Sequence, residues 1–274
     1  MSPKANHGIG KSDPLDARRI AASVLPLRAD QQRYLREGEG VRAGLRVLLA
    51  ARDHMTSERT ATINALIALL RVLDLGIDAR RPLSGKQVIE VSRWRPRTEE
   101  LEMVIARGEA VRLAKRVIGL DQELADNVQT TTALLKQSAA RVLLDKPGIG
   151  PVTAAVAMAA WSHDGRMHSE AAFAALAGVS PIPASSGNTV RHRLNRGGDR
   201  RLNKALHMAV IVRMTHDPQT KAYVERRVAE GRTRREIRRV LKRYLARQIY
   251  RALTAASRAD NAASNKVPGT LITA

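Results

Sequence analysis

The segment VRAGLRVLLAARDHMTSERTATINALIALLRVL, residues 41–73, decides the fold class of this chain. Its apolar side chains are separated by threes, fours and their sums, a spacing that places them on one face of an α-helix. The pattern predicts one long amphipathic helix from about Glu37 to Leu75, ended by Gly76. The apolar positions are Val41, Leu45, Leu48, Met55, Ile63, Leu66, Leu70 and Leu73.

A connector and a second long helix follow. Residues 76–97 allow at most one short helix, because glycines and prolines interrupt them. From about Thr98 to Ala140 the pattern is helical again, and one apolar set repeats every seven positions, the period of a coiled coil. That set is Val104, Val111, Ile118 and Ala125. Two arrangements remain open: an antiparallel pair within an ordinary helical bundle, or an arm that dimerises.

Composition excludes several classes of function. The 274 residues hold 47 Lys and Arg against 26 Asp and Glu, so the net charge is +21 and a polyanionic partner is expected. The absence of cysteine excludes disulfides, thiolate zinc sites and thiol catalysis. The low aromatic content of 3% favours helices over a β-sandwich. The longest apolar run, residues 154–161, is far shorter than the ~20 residues that span a bilayer, so we expect a cytoplasmic protein that binds nucleic acid and no membrane.

A smaller helical unit is predicted after about residue 143, where the composition changes. A turn at 146–153 leads into an Ala-rich helix that ends near Trp161. Segments 178–183 and 188–194 can pair as a short β-hairpin. Further helices are expected at 169–177, 200–215 and 219–257, the last with a break at Gly231. The expected fold is therefore mainly α, with a helical arm at 31–140, the smaller domain at 141–257 and a flexible tail at 258–274.

The turn Pro147-Gly148-Ile149-Gly150-Pro151 is similar to the hairpin of helix-hairpin-helix elements that bind DNA. In such a turn, glycines allow backbone N–H groups to approach a phosphate at a helix N-terminus. Gly148 and Gly150 are therefore candidate nucleic-acid-binding residues. A plain helix–helix turn explains the same residues equally well.

Ser186 lies between the two strands of the predicted hairpin, before a dense basic cluster. A hydroxyl surrounded by cations has the groups needed to attack a phosphodiester, since guanidinium groups stabilise the charge that develops on the phosphate oxygens. An ordinary Ser-Gly turn is the alternative. The cluster is Arg191, His192, Arg193, Arg196, Arg200, Arg201 and Lys204.

The last predicted helix carries a one-sided positive charge. Its apolar stripe leaves several cations on the other faces, where they repel one another unless phosphates lie nearby. A solvated helix face is the other interpretation. The candidate phosphate-binding residues on this helix are Arg238, Arg239, Lys242 and Arg243.

Asp13 and Asp16 begin a predicted short helix that runs to about Val24 and stops before Pro26. Side chains three residues apart lie on one helix face, so the two carboxylates can bind a divalent cation such as Mg²⁺. The alternative is helix capping, with Asp13 as the N-cap and Pro14 as the first helical residue.

The joint order of these motifs resembles the DEDD transposases of the insertion-sequence one-hundred-and-ten family, relatives of the pilin-gene inverting recombinases. The resemblance covers nearly all of residues 11–255. The segments that carry it are 11–21, 52–66, 148–150, 178–181, 185–187 and 197–202.

The resemblance implies a RuvC-like (RNase H fold) domain joined to a C-terminal transposase domain. Asp13 and Asp16 would be the last two acids of an Asp-Glu-Asp-Asp site for Mg²⁺, and Ser186 would form a transient 5′-phosphoserine link to DNA. Ser185 remains a second candidate for the nucleophile. The resemblance also implies a structured guide RNA encoded by the element, and assembly into dimers or tetramers.

The first Asp and the Glu of that quartet lie upstream in the family, whereas only ten residues precede Lys11 here. We therefore expect residues 1–30 to be a remnant of the RuvC-like α/β domain, most of which is missing. The expected consequence is a truncated transposase with impaired strand transfer. The alternatives are a non-catalytic nucleic-acid-binding protein and an oligomerisation module.

Overall fold

The computed structural model describes residues 13–28, 40–185, 189 and 192–264, and over these residues the chain is mainly helical, as predicted. One two-stranded antiparallel sheet joins β1 (Ile182–Pro183) to β2 (His192–Arg193). The helices are α1 (Asp13–Val24), α2 (Gly40–Val72), α3 (Gly85–Ser92), α4 (Leu101–Lys136), a 3-10 helix (Ala139–Leu143), α5 (Pro151–Trp161), α6 (Glu170–Leu176), α7 (Arg200–His216), α8 (Pro218–Ala229) and α9 (Arg234–Ser264).

The chain divides into two compact units, Met1–Arg36 and Glu37–Ala274. The described part of the first unit is α1 and the turn that follows it. Helix α1 has the predicted length, but Asp13 is already its first residue rather than the cap before it. None of the residues of α1 is buried.

Helices α2 and α4 pack against each other in antiparallel orientation. Three contacts fix the direction, because the partner's number falls along α4 as the number rises along α2. The Asn127 amide donates to the Leu48 carbonyl (3.0 Å), Arg52 donates to the Leu124 carbonyl (3.2 Å), and Arg116 pairs with Glu58 (2.7 Å). The long helices thus form the antiparallel pair, within one chain, that the sequence allowed.

The face of α4 that packs inward differs from the predicted seven-residue repeat. Val104 and Ile118 are 39% and 37% exposed, and Ala125 is exposed as well. The buried positions follow steps of three and four, because a straight helix repeats every 3.6 residues and small side chains admit the leucines of α2. They include Ala106, Ala110, Ala114, Val117 and Leu120.

Two apolar clusters lie at opposite ends of this helix pair. One joins the second half of α2 (Leu66, Leu70) to α3 (Val88, Val91) and to the first half of α4. A capping box formed by Ser84 and Gln87 starts α3 in that cluster.

The other cluster embeds the first half of α2 in the C-terminal helices. Helix α5 lies at its centre and is apolar on all sides, as expected for a helix surrounded by others. Trp161, Phe173, Leu206 and Ile249 are among its fully buried side chains. This core holds α7 and α9 side by side, which positions the loop between α6 and α7.

Helices α8 and α9 are separated at Gly231, where φ is +82°, as the sequence predicted. Helix α9 continues to Ser264, beyond the expected end at Ser257. Two ion pairs extend it, Arg258 with Asp164 (2.7 Å) and Arg141 with Asp260 (2.5 Å). Within the described residues, no helix has the length and apolar character to cross a membrane.

Candidate nucleic-acid interface

The turn at residues 146–150 joins the 3-10 helix to α5, and its two glycines have different surroundings. Gly148 has φ +71°, and a Cβ there would lie 2.6 Å from the Ala209 carbonyl oxygen and 2.9 Å from Cγ of Arg213. Gly150 precedes α5 with φ −82°, and a Cβ there would meet no atom within 4 Å. Gly148 is thus required where the turn packs on α7, whereas Gly150 faces open space.

The N-terminus of α5 has no side-chain cap. Gly150 supplies no hydrogen-bonding side chain, and Pro151 occupies the first turn. The first N–H groups of a helix have no partner within the helix, and they carry the positive end of its dipole. An anion can therefore approach this end of α5.

Arg213 on α7 hydrogen-bonds to this turn, a contact that the sequence did not predict. Its Nε donates to the Pro147 carbonyl (2.7 Å) and its Nη1 to Oε1 of Gln248 on α9 (3.1 Å). Burial lowers the pKa of Arg213 below its ordinary value. One basic residue among many on α7 gives no signal of such a contact, which joins positions 66 residues apart.

A second close backbone approach shapes the loop between α6 and α7. Gly178 has φ +64° and Gly198 has φ +94°. A Cβ at Gly178 would lie 2.6 Å from the Gly197 carbonyl oxygen, and one at Gly198 would lie 2.5 Å from that of Leu176. The Asp199 N–H donates to the same Leu176 carbonyl (2.7 Å). The two ends of the loop therefore meet at a narrow stem made of backbone.

The short β-hairpin rises from this stem. Ile182 is opposite Arg193 and Pro183 is opposite His192. Ser185 is exposed. Ser186 and Arg191, the predicted nucleophile and one predicted phosphate ligand, lie outside the described residues.

Cations surround the stem on the side of α7. Arg193, Arg196, Arg200 and Lys204 are exposed, and none of them forms an ion pair with a carboxylate in the described part of the chain. Arg201 differs from these four, because it pairs with Asp53 on α2. The described members of the predicted basic cluster thus lie on one side of the stem, and Asp53 neutralises one of them, Arg201.

Helix α9 adds the cations that the sequence singled out. Lys242 donates from Nζ to Oδ1 of Asn203 (3.1 Å), and Nδ2 of Asn203 donates to the Ala177 carbonyl (2.7 Å). Burial lowers the pKa of Lys242, and the charges of Arg239 and Arg238 lower it further. The Lys242–Asn203–Ala177 chain links α9, α7 and the end of α6 directly beneath the hairpin stem.

His207, one turn after Asn203, lies in the same positive field. Burial lowers the pKa of its imidazole, and the charges of Lys242 and Arg238 also lower it. Burial and neighbouring positive charges each lower the pKa of a basic group, because both disfavour its protonated form. None of Arg238, Arg239, Lys242 and Arg243 pairs with a carboxylate among residues 13–28, 40–185, 189 and 192–264.

A cavity of about 170 Å³ opens between the stem and α9, and we call it the stem cavity. Apolar and polar side chains share its wall. Its lining residues are Gly178, Val179, Ser180, Pro181, Leu194, Asn195, Arg239, Val240, Lys242 and Arg243.

The next turns of α9 show the opposite pattern. Arg247 and Arg251 both pair with Glu170 on α6, and these contacts lower the pKa of Glu170 to about 2. Glu170 thus neutralises part of the charge of Arg247 and Arg251, whereas the cations at the stem have no such ion pair in the described residues.

The predicted metal ligands lie on α1. Asp13 is exposed, and Asp16 is 3.7 Å from Nη1 of Arg19. In the described ranges, no group of three or more His, Cys, Asp or Glu side chains is placed to hold a metal ion. Two carboxylates supply only part of the oxygen ligands that Mg²⁺ requires.

Two segments of the chain, residues 2–73 and residues 140–225, match known protein families. The family described as "Transposase IS116/IS110/IS902 family" matches residues 140–225, the region of the turn, the hairpin and α7. A second family, described as a transposase of the IS110 group, matches residues 2–73.

Two relatives from insertion elements are similar in sequence. The uncharacterized 42 kDa protein of insertion element IS900 from Mycobacterium paratuberculosis is 29% identical over 268 residues, covering 82% of this chain and 67% of that protein. The uncharacterized 43.6 kDa protein of insertion element IS110 from Streptomyces coelicolor is 31% identical over 114 residues, covering 41% of this chain and 28% of that protein. These matches show that the chain is similar to transposases of the IS116/IS110/IS902 family over residues 2–73 and 140–225.

Proposed function

We propose that this chain binds DNA and takes part in transposition by cleaving and transferring strands through a serine–DNA phosphodiester, with Ser186 as the nucleophile. The similarity to transposase families over residues 2–73 and 140–225 supports transposition. The observation that carries the proposal is the uncompensated positive charge around the stem of the loop that contains Ser186. A phosphodiester backbone is the counter-charge that fits it.

The exposed cations of the stem are suited to hold the strand. Arg193, Arg196, Arg200 and Lys204 would contact phosphate oxygens, and the N-terminus of α5 at Gly150 would contact a further phosphate. Arg201 would join them on release from Asp53. The α9 cations Arg238, Arg239, Lys242 and Arg243 extend the same surface.

The proposed reaction is a transesterification. The hydroxyl oxygen of Ser186 attacks phosphorus, the bond from phosphorus to the 3′ oxygen breaks, and the 3′ oxygen takes the proton that the hydroxyl gives up. The products are a 5′-phosphoserine and a free 3′-hydroxyl. The reverse reaction with another 3′-hydroxyl joins new strands. The neighbouring guanidinium groups would stabilise the charge on the phosphate in both directions.

The remaining partners are proposals from the family resemblance. Asp13 and Asp16 would hold Mg²⁺ only together with further oxygen ligands, so we assign no step of the reaction to the metal. A structured RNA encoded by the element would bind through the same phosphate-binding cations. A homo-oligomer would form through apolar surface such as the outward stripe of α4, where Val104 and Ile118 are exposed.

Covalent trapping tests the proposal. The full chain is incubated with supercoiled DNA carrying the element's ends, Mg²⁺ and the element's RNA, and protein–DNA adducts are resolved under denaturing conditions. We expect adducts with the unaltered chain and with Ser185→Ala, fewer than a complete metal site would support, and none with Ser186→Ala. Adducts that persist in Ser186→Ala and vanish in Ser185→Ala would move the nucleophile to Ser185. DNA binding without any adduct would leave a non-catalytic nucleic-acid-binding protein.

A further inference from the structure

We propose that the stem cavity binds one unpaired nucleobase of the DNA strand, with the adjoining phosphate on Arg239 and Arg243. This inference rests on the proposed function, because it requires DNA to bind at the hairpin stem. It adds a pocket for a nucleotide, which the similarity to the transposase family does not specify.

Apolar side chains form much of the wall of the stem cavity. Val179 and Pro181 enter the cavity from the start of the loop, Leu194 from its end and Val240 from α9. Leu194 is 52% exposed and Val240 is 37% exposed, although both lie beside a strongly cationic surface. Phosphate binding alone does not require apolar side chains, whereas the face of a base does.

Polar and cationic groups also line the stem cavity. Oδ1 of Asn195 accepts a hydrogen bond from the Gly197 N–H (2.9 Å), which leaves the Nδ2 group as the donor that Asn195 can offer to a base edge. Ser180 adds a hydroxyl that can donate or accept. Arg239 and Arg243 add guanidinium groups, which bind phosphate and also stack on bases.

The stem cavity has the size of a small ligand. A cavity of about 170 Å³ is smaller than the roughly 300–1,000 Å³ of sites for drug-sized ligands. This size suits a single base better than a base pair or a peptide helix. Because a base in a duplex is stacked and paired, the occupant must leave the helix before it enters.

The location gives the pocket a use. Pro181 directly precedes β1 and Leu194 directly follows β2, so the cavity lies at the root of the hairpin whose loop contains Ser186. Lys242, fixed by Asn203, forms part of the same wall. A base held here anchors its own nucleotide and so fixes the register of the strand relative to the hairpin.

The test uses the full chain and short DNA duplexes with one central unpaired nucleotide, either 2-aminopurine or an abasic residue. Fluorescence of 2-aminopurine reports whether the base leaves its stacked neighbours. We expect the fluorescence to rise on binding, and we expect the 2-aminopurine duplex to bind about tenfold more tightly than the abasic one.

Leu194→Ala removes part of the apolar wall and leaves all cations in place, so it should reduce the tenfold preference while the abasic duplex binds as before. Val228→Ala on α8 is the matched control, because Val228 is similarly exposed (45%) and is not among the residues that line the cavity. Equal binding of the two duplexes with unchanged fluorescence would overturn the pocket and leave DNA binding intact. Failure of the unaltered chain to bind any duplex would overturn the proposed function as well.

Discussion

Gly148→Ala tests whether the turn at residues 146–150 needs a glycine at this position to pack against α7. The methyl group would lie 2.6 Å from the Ala209 carbonyl oxygen and 2.9 Å from Cγ of Arg213, in a backbone conformation with φ +71°. The left-handed conformation costs an alanine about 1–2 kcal/mol. Overpacking against the backbone of α7 adds about 1–3 kcal/mol. We therefore expect the free energy of unfolding to fall by roughly 2–5 kcal/mol.

Gly150→Ala is the matched control in the same turn. Its φ of −82° suits any residue, and the new methyl group meets no atom within 4 Å, so stability should change by less than about 0.5 kcal/mol. Urea unfolding followed by far-UV circular dichroism measures both variants. A Gly148→Ala protein as stable as the unaltered chain, or two variants with equal losses, would refute the assignment of Gly148 to packing.

Two further predictions concern charge. Arg239→Gln and Arg243→Gln should each lower the slope of log affinity for DNA against log salt concentration by about 1, because each removes one phosphate contact. Arg226→Gln on α8 is the control and should leave this slope unchanged. Equal slopes in all variants would contradict the proposed interface. The pKa of Glu170 is lowered from 4.5 to about 2, so its ion pairs with Arg247 and Arg251 stabilise the fold above about pH 4.5, and this contribution is lost as the pH falls towards 2. Acid titration of Glu170→Gln should show a weaker loss of stability across this window than Glu225→Gln, a substitution at an exposed glutamate of α8; identical acid profiles would be inconsistent with this origin of the shift.

The helices of this protein could be predicted closely because their signals are local. Apolar spacing predicted α2, although the helix ends at Val72 rather than just before Gly76, and Gly231 separates α8 from α9 as predicted. The sequence did not indicate which face of α4 is buried within the chain, because the exposed residues Val104 and Ile118 belong to the more regular repeat. The stripe of α4 that packs inward is the one that fits the side chains of α2, and the sequence of α4 alone does not specify this fit.

The candidate site was predictable in its residue types and not in its construction. The basic cluster and the turn glycines are visible as motifs. The stem is not, because the approach of Gly198 to the Leu176 carbonyl joins the two ends of a loop. Arg213 and Asn203 act on backbone carbonyls distant in sequence, and such contacts leave no pattern in the residues around them.

The few carboxylates of this chain distinguish structural arginines from binding arginines. Along the long helices, Arg116 pairs with Glu58 and with Glu123, and Arg107 is buried against Glu99 and the ring of Trp94. Each of these arginines is matched because a buried or crowded cation without a partner costs free energy.

At the hairpin stem, Lys242 and its neighbouring arginines have no carboxylate partner among the described residues, so this free-energy cost remains. Lys242 and His207 have lowered pKa values there, with neighbouring cations among the causes. Folding alone would favour an acid at such a place, as Glu170 provides for Arg247 a short distance along α9. If DNA binds at the stem as proposed, its phosphates would reduce the repulsion between these cations, and this reduction would favour binding.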